Sequence, residues 1–142
     1  MEGALFGGWA GDEPASKWWQ KNMTFYGPGG IGLAQNAKEF QQHVLDPYHA
    51  AFTNRSVEAS MMFCEGNYCG AYGNLLGDHV GTWVGLPASS KRLSLRFCMH
   101  FRVVEGLISE GWAIFDFPGL FNQIGLDFYA KARDQTPLPV ES

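Results

Sequence analysis

Residues 91–116, KRLSLRFCMHFRVVEGLISEGWAIFD, restrict the possible folds more than any other part of the chain. They read as two long strands joined at Glu105-Gly106, because an acidic residue before glycine between two apolar runs is a strong local hairpin signal. The first strand alternates. Leu93, Leu95, Phe97, Met99, Phe101 and Val103 share one face; Ser94, Arg96, Cys98, His100 and Arg102 share the other. The turn length then sets the faces of the second strand. A two-residue loop puts Arg102 opposite Ser109 and Phe101 opposite Glu110. A three-residue loop, with Gly106 in a left-handed bulge position, puts Phe101 opposite Ser109 and His100 opposite Glu110. A slip by one residue exchanges the faces. The three-residue loop is favoured because it gives the charges partners, with Glu110 between His100 and Arg102 and Asp116 near Arg96. It also sets Phe97, Met99, Phe101 and Phe115 around the small Gly111 and Ala113, so the inner face is expected to wall an apolar hollow while Trp112 and the charges face outward.

The rest of the chain supplies a helix and further strands. Phe40, Val44, Tyr48 and Phe52 recur every fourth residue within Gln35–Phe52, a helical stripe that Pro47 should kink or split after Asp46. Before it, Met1–Ala15 reads as a loose arm, Lys17–Asn22 as a short helical turn and Met23–Tyr26 as a strand. Gly27–Gly32, GPGGIG, reads as a strand-to-helix turn rather than a phosphate cradle, since no Gly-Lys-Ser/Thr follows it. Strands are expected over Val57–Phe63, Tyr68–Leu76 and His79–Val84, with a turn at Glu65–Asn67 and a break at Gly77-Asp78. A closing helix starts at a cap on Asp116 or Phe117, carries Pro118 in its first turn and stops at Gly125. The expected layout is an arm or short helix over 1–22, one domain over 23–128 and a flexible tail over 129–142. The pattern predicts an α+β fold, a curved antiparallel sheet wrapped around the kinked helix.

Composition narrows the function. Hydrophobic residues make up 46% of the 142, aromatic ones 15%, and charged ones only 17%, so apolar surface is left over for a lined pocket or an oligomer interface. A net charge of −4 offers no electrostatic case for nucleic acid or an anionic membrane. No apolar run has spanning length and no signal-peptide pattern opens the chain, so a cytoplasmic protein is expected. Cys64, Cys69 and Cys98 have no metal-type spacing and read as buried, reduced thiols.

Three blocks carry a resemblance: GPGGIG followed by a helix with Phe40, Pro47, Ala51 and Phe52; HVGTWVGLPASSKR from His79 to Arg92; and FRVVEGLISEGWAIFDFPGLFNQIG from Phe101 to Gly125. Together they resemble the SnoaL-like polyketide cyclases, which have the cone-shaped fold of nuclear transport factor 2 and ketosteroid isomerase. The resemblance implies a deep apolar pocket between helix and sheet, no metal, no organic cofactor, and a homodimer or tetramer. In those cyclases an aspartate removes a proton beside a carbonyl in an intramolecular aldol condensation. The aspartate's position is Ala113 here, and a pocket histidine maps onto Met99; His79 does match a family histidine. Family members usually carry about two helices before the first strand, and this chain has only some two dozen residues there. That wall of the cone is thin, completed by a partner chain, or replaced by the Trp9/Trp18/Trp19 cluster.

The candidate site residues follow. Asp116 and His79 are the candidate acid–base groups, each weighed against a structural role: a helix cap for Asp116, a satisfied strand histidine for His79. Tyr26, Phe40, Tyr48, Phe97, Met99, Phe101, Ala113 and Phe115 are the expected pocket lining. His43 is expected in solvent, and His100 with Glu110 at a subunit interface on the outer sheet face. The leading function is binding of a small, mostly apolar molecule, with any chemistry of cyclase or isomerase type. The alternative is a catalytically silent ligand-binding or assembly module.

Overall fold

The computed structural model describes residues 5–127 and 129. It is an α+β cone. Six strands form one sheet in the order β2-β1-β6-β5-β4-β3: β1 Trp19–Tyr26, β2 Leu33–Ala34, β3 Phe52–Glu65, β4 Tyr68–His79, β5 Arg92–Val104 and β6 Leu107–Phe115. All neighbours are antiparallel except β1 and β6, which run parallel. Short helices α1 (Ala15–Trp18), α2 (Ala37–Phe40), α3 (Asp46–Ala51) and α4 (Phe117–Gln123) complete the fold. The expected flexible tail lies, apart from Tyr129, outside the described residues.

The long hairpin forms with neither expected register. The turn is the two-residue one: Val104 pairs with Leu107, and Glu105 and Gly106 both take positive φ, +53° and +80°. That backbone matches the twist of the flanking strands, and glycine adopts it without cost. A bulge at Ser109 then adds one residue to β6, so Arg102 faces Glu110 and Met99 faces Ala113. The bulge restores the faces expected from the three-residue loop while displacing the register by two. Arg102 Nε therefore donates to Glu110 Oε1 at 2.8 Å, and His100 faces Trp112 instead of Glu110. On β5 every residue from Leu93 to Phe101 alternates buried and not, as its pattern requires. Further irregularities in β3, between Thr53 and Ser56 and between Ala59 and Met61, add to the curvature.

The helical stripe lies inside the cone, with Phe40, Val44 and Tyr48 buried. It is interrupted one turn before the proline: Gln41–Leu45 is a π-helical turn, and Pro47 enters the first turn of α3, where its missing N–H is harmless. Phe52, counted with the helix from its spacing, begins β3 instead. Several other boundaries differ. The helical turn falls on Ala15–Trp18, and β1 starts at Trp19 rather than Met23. Residues 27–32 close a β1–β2 hairpin through Gly27 N–H to Gly32 O at 3.0 Å. β4 runs unbroken through Gly77-Asp78 because it is paired on both sides there.

Two larger corrections concern residues read as loose or reduced. The N-terminal arm is packed in the core: Leu5, Phe6 and Trp9 are among the most buried side chains of the protein. The glycines around them hid an apolar triad. Cys64 and Cys69 are joined in a disulfide because the short β3–β4 turn sets them directly opposite each other, with Cα atoms 4.0 Å apart. Cys98 is free but exposed.

Candidate functional site

The interior of the cone is bounded by the inner faces of β1, β4, β5 and β6 and by the α2–α3 segment. Phe40, Tyr48, Phe97, Met99, Phe101, Ala113 and Phe115 face this interior, and all are buried. Tyr26 does not. Alternation along β1 turns Met23 and Phe25 inward, and Tyr26 lies on the outer face, 43% exposed and stacked on Trp112 at 5.5 Å.

The hollow expected beside Gly111 and Ala113 is filled. The Trp19 ring lies over Gly111, where a β-carbon would approach its Cη2 to 2.6 Å. That ring also packs against Phe40 at 4.5 Å, Phe101 at 5.9 Å and Phe25 at 6.2 Å. Trp9 occupies the centre, with ring centroids 5.3 Å from Tyr48, 5.7 Å from Phe115 and 6.2 Å from Phe40. Phe6 stands 5.4 Å from Phe97. A buried aromatic removes about 150–250 Å² from water, so at ~25 cal/mol per Å² the Trp9 ring contributes about 4–6 kcal/mol of hydrophobic stabilisation. Of the three tryptophans singled out as a replacement wall, Trp9 and Trp19 serve so. Trp18 is half-buried and donates its indole N–H to Glu13. Phe6 was missed because the glycine-rich stretch around it carries no periodic core signal.

Of the two acid–base candidates, only His79 is inside. It ends β4 on the inner face, with no exposed surface, and stacks on Phe52 at 5.1 Å. The Ser89 N–H donates to its Nδ1 at 3.2 Å, and Ser89 Oγ lies 2.9 Å from the same nitrogen. An Nδ1 that accepts from an amide leaves the proton on Nε2. Nε2 is buried and makes no hydrogen bond of good geometry, although the Gly81 and Leu86 carbonyls lie near the ring. Burial holds the imidazole below its ordinary pKa, opposed by the Gly81 and Leu86 carbonyls, so the ring is neutral near pH 7. Burial also pushes the nearby Tyr48 hydroxyl well above its usual range. Asp116 is turned the other way. Its carboxylate is exposed and accepts from Gly119 N–H at 3.0 Å, capping α4. It reaches no part of the cone interior, and Arg96 meets it through the backbone, Asp116 N–H to Arg96 O at 2.9 Å. His43 is exposed, as expected.

Clefts open on the surface of the described residues, two of them sizeable. One, of about 580 Å³, lies between α1, β1 and the α2 segment; it is lined by Lys21, Lys38, Gln42 and Asp46, and Trp19 forms its floor. The other, of about 620 Å³, crosses the outer sheet face between Ser60, Tyr72, Arg96, Cys98, Ile114 and Asp116. Among the described residues no three His, Cys, Asp or Glu side chains converge as metal ligands, and no helix is long and apolar enough to cross a membrane.

This architecture is the nuclear transport factor 2-like, ketosteroid isomerase-like cone. Solved structures share it at low sequence identity. TsrD from Streptomyces laurentii superposes with a TM-score of 0.75 at 19% identity, over 87% of this chain and 91% of that one. IdmH from Streptomyces antibioticus gives 0.74 at 17%, over 88% and 96%. A Catenulispora acidiphila protein with a ketosteroid isomerase-like fold, crystallised with trimethylamine, gives 0.71 at 15%, over 94% and 95%. No match was found among curated proteins. The family model of the SnoaL-like polyketide cyclases matches residues 11–124, and the chain belongs to that family.

Proposed function

We propose that the protein binds a small, mostly apolar molecule in the cone and meets a carbonyl or enolate oxygen of that molecule with His79. The observation that carries this reading is the buried Nε2–H of His79, which makes no well-formed hydrogen bond, with only the Gly81 and Leu86 carbonyls near the ring. An unsatisfied buried donor costs about 1–3 kcal/mol, which an oxygen of a bound ligand would recover. The surrounding walls are aromatic and aliphatic, so the remainder of the ligand is apolar. The cone holds no carboxylate among the residues named above: the family's aspartate position is Ala113, and Asp116 faces out. Chemistry of the cyclase or isomerase type would therefore rest on His79 polarising a carbonyl, without the family's carboxylate base. Titration with a panel of planar polyketides and steroids, read by quenching of Trp9, Trp19 and Trp83, tests binding. His79→Phe should weaken carbonyl-bearing ligands about tenfold and leave their hydrocarbon analogues unchanged. Equal losses for both series would remove His79 from the site.

A second reading, an assembly role, is favoured by the outer sheet face. Met61, Phe63, Tyr68 and Tyr72 stand exposed there beside Ile114, which is 70% exposed. Register places Met61, Tyr72, Cys98 and Ile114 in one row across four strands. Apolar rows of this kind are covered in oligomers. Sedimentation should show a homodimer or larger, reduced to a monomer by Ile114→Glu; a monomeric wild type at high concentration would refute this reading.

A further inference from the structure

We propose that residues 5–12 form a resident plug, occupying the cone's ligand space with Phe6 and Trp9, and that a planar aromatic ligand enters by displacing them. This rests on the reading of the cone as a ligand site. Three observations support it. First, the backbone hydrogen bonds of this segment close within its own turn or reach only to Glu13: Trp9 and Ala10 donate to Phe6 O, and Gly11 and Glu13 to Gly7 O. Among the described residues, lifting the segment thus breaks no backbone hydrogen bond to a strand or to α1–α4. Second, its polar tethers to the rest of the cone are two side chains at the rim. His49 Nε2 donates to Gly8 O at 2.6 Å, and the Arg55 guanidinium reaches Gly11 O at 3.2 Å and the Asp12 carboxylate. Third, most of the filling segment lies outside the family match, which starts at residue 11, whereas the walls it covers lie inside it.

What the plug puts into the cone also describes what could replace it. Trp9 meets Phe25, Phe40, Tyr48 and Phe115 edge-on or tilted, so the vacated space is shaped for a flat fused-ring aromatic with aromatic edges around it. The latch is one ion pair at the surface end of the segment: Asp12 is largely exposed while the Arg55 side chain is nearly buried, so water screens the carboxylate more than the guanidinium.

The test compares wild type, Trp9→Ala and Asp12→Asn, with indole and 1-naphthol as probes. Trp9→Ala should bind indole saturably and regain thermal stability with it. Asp12→Asn should bind 1-naphthol about two- to fivefold tighter than wild type, because losing the carboxylate that pairs with Arg55 raises the open fraction by about that factor. In wild type, 1-naphthol should speed amide exchange at Trp9–Gly11 while β4–β6 stay protected. If Trp9→Ala takes indole but wild type and Asp12→Asn take neither probe, and Trp9–Gly11 exchange only on global unfolding, the segment is permanent core: the plug is refuted and the ligand site stands. If no variant binds either probe, the ligand-site reading itself fails. Should Trp9→Ala not fold, Asp12→Asn binding and wild-type exchange decide the question alone.

Discussion

Gly111→Ala measures whether the cone floor is filled. The added β-carbon would lie 2.6 Å from Trp19 Cη2, 3.1 Å from Cζ3 and 3.4 Å from Phe101 Cδ1. Carbon atoms pack at about 3.5–4.0 Å, so the Trp19 ring must retreat by about 1 Å. It has little room to do so, since Phe40, Phe25 and Phe101 hold its other sides. Overpacking of this kind costs about 1–3 kcal/mol. Replacing glycine returns about 0.4–1 kcal/mol by stiffening the unfolded chain. The net expectation is a loss of about 1–2 kcal/mol, a fall of about 3–7 °C in Tm for a chain of this size. Urea melts of both proteins give the difference directly. A Trp19→Leu background should abolish the penalty, because the contacting ring is gone. A midpoint unchanged or raised by Gly111→Ala in the wild-type background would mean that Trp19 is not seated there and that the hollow is real.

Three further outcomes are expected. His79 has a lowered pKa in the folded chain, so folding favours its neutral form: its contribution is complete above the unfolded value of 6.5 and is lost as pH falls below it. Wild type should therefore lose more stability than His79→Gln between pH 7 and pH 5, and parallel melting curves would contradict the buried neutral ring. Asp116→Ala should cost about 1 kcal/mol through the lost cap, whereas Asp116→Asn, an equally good cap, should be nearly neutral; a large loss from the asparagine variant in a binding or turnover assay would instead give the carboxylate a chemical role. Cys64→Ser opens a disulfide that closes only a short loop, so denaturant melts should shift by at most about 2 kcal/mol, and a larger shift would show that the β3–β4 hairpin depends on it.

Local chemistry wrote much of this fold. The strict alternation of Leu93 to Phe101 assigns each side chain a face whatever its partner strand does, and the Asp116-Phe117-Pro118 start of α4 is a local capping arrangement. Ala113 and Met99 were legible as inward and apolar for the same reason, since a period of two needs no tertiary knowledge. Tyr26 was misplaced because alternation in a short strand separates two faces without saying which is inner, and it is the packing of β1 that turns Met23 and Phe25 inward. The register of the long hairpin was not legible. It turns on a bulge at Ser109, which nothing adjacent in the chain requires and which exists because β6 must pair with β5 on one side and β1 on the other.

The filling of the cone could be decided only in three dimensions. Gly111 and Ala113 beside large apolar residues read as a hollow, which Trp19 fills; the Trp9/Trp18/Trp19 cluster was one of three options for the thin wall, and the sequence could not say which rings would enter. Trp9 comes from a glycine-rich stretch and Trp19 from the start of β1, both about a hundred residues away, with no periodicity to mark them as core. Close packing makes any apolar surface of matching shape a suitable occupant, so shape complementarity between distant segments is invisible to pattern and is settled when the chain closes on itself.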